Sequence, residues 1–249
     1  MTKRDLTVVI LAAGKGTRMK SDLPKVMHRI CGRPMIDHVL EKAEALGASK
    51  VVAVVGWQSE KVIPHLEGRA EYVLQNPQIG TGHAMMCAAP KFEGTDGVVL
   101  LLYGDVPILT VNTLKKLLEV HSAQGNKATV LTAVLDDPSG YGRIIRNEAG
   151  LVERIVEHKD ASDEEKSVKE INTGIYCFDI PELEVVLKEI TNDNAQGEYY
   201  ITDAIGLMRS HGWRVGAVMA EDPRETEGVN TEEQLLRLEK AMCEISGGN

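Results

Sequence analysis

Short runs of almost wholly apolar, β-branched residues, separated by stretches with helical spacing, narrow what this chain can fold into more than any other feature. Thr7-Val8-Val9-Ile10-Leu11-Ala12 is one such run, Val51 to Val55 a second, Val98-Val99-Leu100-Leu101-Leu102 the strongest, and Ala128 to Val134 a fourth. Runs that are apolar at every position read as strands covered on both faces of a sheet. Between them, Met35, Ile36, Val39, Leu40, Ala43 and Leu46 keep one face of a helix, and Gly47 supplies its stop. Residues 58–66 read as a weak helix, Tyr72-Val73-Leu74 as a short strand and residues 83–89 as a helix; Leu114, Leu117, Leu118 and His121 set another. Strand alternating with helix is the pattern of an α/β fold with a mostly parallel sheet and right-handed crossovers. Its ligands are expected beyond the carboxyl ends of the strands.

The rhythm changes after about residue 137. Residues 143–157 read as short strands around a turn at Asn147 to Gly150, and the charged stretch Asp160 to Glu170 reads as a solvated loop. Ile175 to Phe178 and residues 181–190, 199–210, 213–219 and 231–245 complete the α/β pattern. No internal repeat, low-complexity tract or linker interrupts the 249 residues, which predicts one domain with an inserted lobe. A chain of this length buries a core without disulfides, so Cys31, Cys87, Cys177 and Cys243, which are far apart, are expected to be reduced. No apolar run approaches the roughly 20 residues needed to span a membrane. Thr2-Lys3-Arg4 ahead of Leu6 to Ala13 mimics a secretion signal, but Lys15 and Arg18 stand where a cleavage region is neutral and small, so the run reads as a buried first strand. The formal net charge of -9 argues against a general nucleic-acid binder. An anionic ligand must therefore be held by a local concentration of Lys, Arg and backbone amides.

Such a concentration follows the first strand. Leu11-Ala12-Ala13-Gly14-Lys15-Gly16-Thr17-Arg18-Met19 combines glycines, which let backbone amides turn inward around an anion, with two cations. It is not the dinucleotide fingerprint, because Met19 stands where the third glycine belongs, and it is not G-x-x-x-x-G-K-[ST]. In Leu23-Pro24-Lys25 the proline stiffens the approach, which can aim Lys25 at the same phosphates. The strongest strand ends at Tyr103-Gly104-Asp105, which puts a carboxylate where such folds bind ligands. Mg²⁺ prefers one or two carboxylates completed by substrate phosphates and water, so Asp105 is the first candidate to hold it. The rival role for Asp105 is capping the helix that starts near Thr110. Gln75 ends another strand before Gly80-Thr81-Gly82-His83; its amide suits a pyrimidine edge, whereas His83 reads as a helix start. No H-E-x-x-H, G-x-S-x-G or clustered Cys and His is present. A nucleophile that arrives ionised needs none of these, and a phosphate monoester, with a second pKa of about 6, is one.

The motifs Leu11 to Met19, Leu23-Pro24-Lys25, Gln75 with Gly80-Thr81-Gly82, Tyr103-Gly104-Asp105, Gly140-Tyr141-Gly142-Arg143, Glu157-His158-Lys159-Asp160, Ile171-Asn172-Thr173-Gly174, Gln196 to Asp203 and Glu227-Gly228-Val229-Asn230 occur in this order. Together, from about residue 6 to about residue 240, they resemble the uridyltransferase domain of the bacterial bifunctional N-acetylglucosamine-1-phosphate uridyltransferase/glucosamine-1-phosphate acetyltransferases. The first loop and the Pro-Lys pair are shared by many sugar nucleotidyltransferases; the segments at 157–160, 194–203 and 227–230 are narrower. The resemblance implies a Rossmann-like fold of the nucleotide-diphospho-sugar transferase type. Residues 5–137 would form the nucleotide-binding part, 138–230 a small sugar-binding part and 231–249 a C-terminal helix.

It also implies uridylyl transfer from UTP to N-acetylglucosamine 1-phosphate, giving UDP-N-acetylglucosamine, a cell-wall and lipopolysaccharide precursor, and pyrophosphate, in the cytoplasm. Leu11, Ala12, Ala13, Gly14, Gln75, Gly80, Thr81, Tyr103 and Gly104 would hold the nucleoside, and Gly16, Thr17, Arg18 and Lys25 the triphosphate, with Arg18 and Lys25 catalytic. Asp105 and Asn230 would bind Mg²⁺. Gly142, Glu157, Asn172, Tyr200 and Thr202 would surround the sugar. Two rivals remain at this point: a nucleotidyltransferase for another sugar phosphate such as glucose 1-phosphate or another nucleotide, and a nucleotide-sugar binder without turnover. The 249 residues hold no hexapeptide repeats of the acetyltransferase half, a left-handed β-helix, whether this is a piece of a longer protein or a single-function one. The expectation is uridylyl transfer without acetyl transfer, and a monomer or dimer rather than a trimer. The last helix carries Leu235, Leu238, Met242 and Ile245 at helical spacing, expected to pack on its own domain.

Overall fold

The computed structural model describes residues 4–247, with side chains from Arg4 to Met242. Thr2, Lys3, Gly248, Asn249 and the side chains of Cys243 and Ile245 lie outside the described residues. The strands are β1 (Asp5–Ala12), β2 (Arg29–Ile30), β3 (Arg33–Pro34), β4 (Lys50–Val55), β5 (Glu71–Leu74), β6 (Gly97–Tyr103), β7 (Ala128–Val134), β8 (Arg143–Arg146), β9 (Val152–Val156), β10 (Glu170–Asp179) and β11 (Val215–Met219). The helices are α1 (Met35–Ala45), α2 (Ser59–Val62), α3 (Thr81–Ala88), α4 (Val111–Gln124), α5 (Asp163–Lys166), α6 (Ile180–Leu187), α7 (Asp203–Ser210) and α8 (Glu232–Gly247).

The main sheet runs β11-β7-β10-β6-β1-β4-β5, with the β8–β9 hairpin attached to β10. β1 pairs in parallel with β4 and β6, β4 with β5, and β11 with β7, whereas β10 is antiparallel to both β6 and β7. All of the strands in this path except β10 therefore point the same way, and their carboxyl ends share one edge. The reversal of β10 has a consequence for the site. Its start, with Asn172 opposite Thr132, lies at the carboxyl edge of its neighbours, and its end, with Asp179 opposite Val98, lies at their amino edge.

The apolar runs are covered on both faces, as their patterning requires. Val9, Leu11, Val99 and Leu101 join one buried cluster with Met85 of α3, Leu183 of α6 and Ile205 of α7. Val8, Ile10, Leu100 and Leu102 join the opposite one with Leu40 of α1 and Leu117 of α4. Fully burying each such side chain is worth about 1.5–3 kcal/mol. A third cluster joins Met19, Ile30, Met35, Ile108, Val229 and Leu238, with Leu235 and Met242 against it, so α8 does pack on its own domain.

Several local features differ from the sequence reading. The stretch Asp160 to Glu170 is not all loop: α5 forms there because Ser162 and Glu165 make a reciprocal capping box. The Ile175 to Phe178 run is the end of the ten-residue strand β10, and the β2–β3 hairpin was not anticipated. Cys87 and Cys177 are free thiols. Among the described residues no helix is long and apolar enough to cross a membrane.

At the amino edge, Asp179 accepts from Arg4 at 2.5 Å and Lys127 at 2.9 Å, and its other contact is the His121 ring at 3.0 Å. Burial opposes its ionisation, but these hydrogen bonds prevail and hold its pKa at about 2.

Candidate active site

At the carboxyl edge, the chain leaving β1, β5 and β6 encloses a cleft of about 290 Å³. Leu11, Ala12, Ala13, Gly14, Lys25, Gln75, Gly80, Thr81, Tyr103 and Asp105 line it, together with Val26, Gln78 and Ala84, which the sequence reading did not single out, and Glu198, which it took only as part of the 196–203 motif. Gln78 and Glu198 carry no local signal for this role; they arrive through loops whose course depends on long-range packing.

The loop after β1 is shaped by backbone conformation. Gly16 has φ +64°, and a Cβ there would lie 2.7 Å from Cβ of Lys25, so only glycine lets the loop close on Lys25. Lys15 rests over the Trp57 ring, 5.6 Å from its centroid. Gly80, at φ +109°, meets the backbone of Tyr199, and Gly82 N donates to the Tyr199 carbonyl at 2.7 Å. Thr81 Oγ1 accepts from Ile201 N at 3.1 Å, so the 196–202 loop is sewn to the start of α3. Gln75 is buried, and its Nε2 donates to the Gly80 carbonyl at 2.8 Å, so it organises this loop as well as lining the cleft. Gly104 is packed against Val26 and Ile36 and lies outside the cleft lining. Tyr103 bridges onward: it lines the cleft and also abuts Gly174. Burial, then the negative charges of Glu157 and Asp105, push its phenol pKa up.

Four residues from distant parts of the chain meet at the cleft mouth. Lys25 Nζ forms an ion pair with Asp105 Oδ2 and donates to Asn230 Oδ1 at 2.8 Å. Arg18 Nη2 donates to the same Asn230 oxygen at 2.8 Å. Asn230 is held in turn by α8, since Gln234 Oε1 accepts from its backbone N–H at 2.7 Å. Helix capping is left to Thr110, whose side chain accepts from Thr113 N, so Asp105 is free of the capping role.

These residues fit a hard divalent cation. The ammonium of Lys25 already sits between the Asp105 and Asn230 oxygens, so the spot between them accepts positive charge. Among the described residues no cluster of three or more His, Cys, Asp or Glu side chains is placed to hold a metal. One carboxylate and one amide oxygen leave most positions to substrate phosphates and water, which is the Mg²⁺ habit.

A second cluster lies past Tyr103. Gly142 sits between Glu157 and Asn172: a Cβ there would lie 3.4 Å from Glu157 Oε1 and 3.5 Å from Cβ of Asn172. Asn172 N donates to the Gly142 carbonyl at 2.9 Å. Asn172 Oδ1 accepts from Tyr176 OH at 2.8 Å and Gly174 N at 3.0 Å, which orients its amide N–H groups as the donors that remain. Glu157 Oε1 accepts from Thr202 Oγ1 at 3.2 Å. Burial pushes its pKa up. Tyr200 is buried and its hydroxyl accepts from Gln196 Nε2 at 2.8 Å. The arrangement thus joins a cation-rich mouth, a narrow apolar-floored cleft and a polar recess.

Residues 8–164 match the model of the MobA-like NTP transferase domain. The bifunctional protein GlmU of Caldanaerobacter subterraneus subsp. tengcongensis is 52% identical over 238 residues, which are 96% of this chain and 52% of that protein. GlmU of Geobacillus thermodenitrificans is 50% identical over 234 residues, 94% of this chain and 51% of that protein. The chain spans about half the length of the curated relatives it matches. In three dimensions it is similar to an apo UDP-glucose pyrophosphorylase, with a TM-score of 0.77 at 18% identity, covering 97% of this chain and 99% of that one. That likeness concerns the fold: a nucleotide-sugar transferase architecture.

Proposed function

The chain belongs to the MobA-like NTP transferase domain family, and from that premise we propose that it transfers uridylyl from UTP to N-acetylglucosamine 1-phosphate, releasing pyrophosphate and forming UDP-N-acetylglucosamine in the cytoplasm. The observation that carries the reading is the meeting of Arg18, Lys25, Asp105 and Asn230 at the mouth of a cleft that leads past Tyr103 to Gly142, Glu157 and Asn172. Half-length identity to the GlmU proteins supports the choice of uridylyl transfer over other members of the fold.

The pyrimidine lies in the cleft, over Leu11 to Gly14 and against Gln75, Gly80 and Thr81. The triphosphate lies along the loop from Gly14 to Arg18. Lys25 and Arg18 leave Asn230 to meet phosphate oxygens, which offer more negative charge than an amide oxygen. Glu157 and Asn172 take hydroxyl and N-acetyl groups of the sugar. Asp105 and Asn230 would hold Mg²⁺, which when bound would supply charge neutralisation for the two anionic substrates. The sugar phosphate is ionised near neutral pH, so no side chain is required as its base. Its oxygen attacks the α-phosphorus in line and pyrophosphate departs opposite. Two polyanions repel, so positioning and neutralisation by Lys25 and Arg18 supply most of the acceleration.

A substrate panel followed by pyrophosphate release tests this. UTP with N-acetylglucosamine 1-phosphate and Mg²⁺ is expected to outpace UTP with glucose 1-phosphate, and CTP or dTTP with either sugar. Equal rates for the two sugars, or undiminished rates in a chelator, would overturn the assignment.

A further inference from the structure

Arg143 is among the largest fully buried side chains of the protein, 1% exposed, although it is cationic. Among the described residues no carboxylate is bonded to it. Asp137 acts on it only through space, and burial pulls its pKa below the ordinary guanidinium value. Burying a charge without a counter-ion costs several kcal/mol, and an apolar side chain of similar volume is often neutral or better for stability. The fold bears this cost at a definite place.

The guanidinium donors go to three segments of the lobe. Nη1 donates to the Tyr141 carbonyl, Nε and Nη2 each to the Lys166 carbonyl at 3.4 Å, and Nη2 also reaches His158 Nδ1 at 3.5 Å. Tyr141 immediately precedes Gly142, and His158 immediately follows Glu157. The Arg143 backbone pairs with Ile171, the neighbour of Asn172. The side chain thus ties together the segments that carry Gly142 and Glu157, while the Arg143 backbone pairs beside Asn172. It is absent from the lining of the nucleotide cleft.

We propose that Arg143 is a positioning residue for the sugar: its planar fork fixes the spacing of the segments that carry Gly142 and Glu157, next to the backbone pairing that places Asn172, and thereby sets affinity and selectivity for the sugar without touching it. This rests on the assignment of that recess to the sugar. Arginine is suited because its five donors form a rigid fork that can span several acceptors, whereas lysine offers a point charge on a flexible stem. Small displacements matter in such a recess: a shift of about 1 Å can cost as much as 10²-fold in rate.

The test compares Arg143→Lys and Arg143→Met with the wild type. Calorimetry gives Kd for UDP-N-acetylglucosamine and for UTP, and steady-state rates give KM for UTP and for whichever sugar 1-phosphate the wild type turns over fastest. Both variants are expected to bind the UDP-sugar and the sugar phosphate about 10-fold or more weakly, within the range set by a misplaced recess. Their UTP Kd and KM should stay within about twofold of wild type, and preference over glucose 1-phosphate should shrink. Equal weakening toward UTP and sugar, or unchanged sugar affinity, would overturn the proposal. Wild-type values in Arg143→Lys would also overturn it, by showing that charge suffices without the fork. If Arg143→Met does not bind UTP, it has lost the fold and Arg143→Lys decides. A wild type that favours a different sugar phosphate would contradict the proposed function, while the comparison on that sugar would still judge Arg143.

Discussion

At the amino edge of the sheet, one buried carboxylate, Asp179, is surrounded by Arg4, His121 and Lys127, and its pKa is held at about 2. At the carboxyl edge the acids run the other way. Glu157 accepts from the Thr202 hydroxyl and has a raised pKa, and Asp203, half-buried near Asp160, is pushed to about 6. The cations there, Arg18 and Lys25, share one amide oxygen and one carboxylate. The same strands support both edges, so the contrast is one of purpose. The amino edge satisfies its charges within the protein and contributes stability. The carboxyl edge instead holds Glu157 and Asp203 where burial opposes their ionisation, at a cost in stability.

Breaking each edge should therefore give opposite signatures. Asp179→Ala is expected to cost about 3 kcal/mol of unfolding free energy, because it dismantles a buried charged network. Chemical denaturation measures this, and kcat of the folded fraction should be unchanged; a large fall in kcat would blur the contrast. Arg18→Ala or Lys25→Ala should lower turnover about 10²-fold, as for the loss of one aimed donor at developing charge. Their melting temperatures should stay near wild type, and near-wild-type turnover in both would sink their catalytic role.

Smaller effects come from pH. The pKa of Asp179 is depressed from its usual 3.8 to about 2, so its stabilisation is present above pH 4 and is lost as pH falls toward 2. Asp179→Asn should remove about 2 kcal/mol of that acid dependence, since each pKa unit is worth about 1.4 kcal/mol; denaturation midpoints at several pH values report it. Asp203 has the reverse sign. Its pKa is raised from 3.8 to about 6, so the folded state favours the proton, and stability is lost as pH rises through that window. Asp203→Asn should flatten this modest decline, and a steeper decline in the variant would contradict the account.

Much of the nucleotide half was legible in the sequence because its signals are local. The apolar run Thr7 to Ala12, the glycines at 14 and 16 and the Leu-Pro-Lys segment each announce themselves within a few residues, and the structure brings Lys25 back to Asp105 and Asn230. The direction of β10 was not legible, because Ile175 to Phe178 looks the same whichever way the strand runs. That reversal is what carries Asn172 to the carboxyl edge and Asp179 to the other. Burial of Arg143 was equally hidden, since an arginine beside a glycine reads as exposed until β8 is folded against β10. The helix α5 had a readable capping box in Ser162 and Glu165, but the surrounding charges masked it.

The proposed function stands on transfer of the α-phosphate, with its uridine, to the sugar phosphate. UTP radiolabelled on its α-phosphate, incubated with the protein, Mg²⁺ and N-acetylglucosamine 1-phosphate, tests it most directly. All transferred label is expected in UDP-N-acetylglucosamine, with unlabelled pyrophosphate accumulating in equal amount. Label released as UMP, or no labelled sugar nucleotide at all, would contradict it.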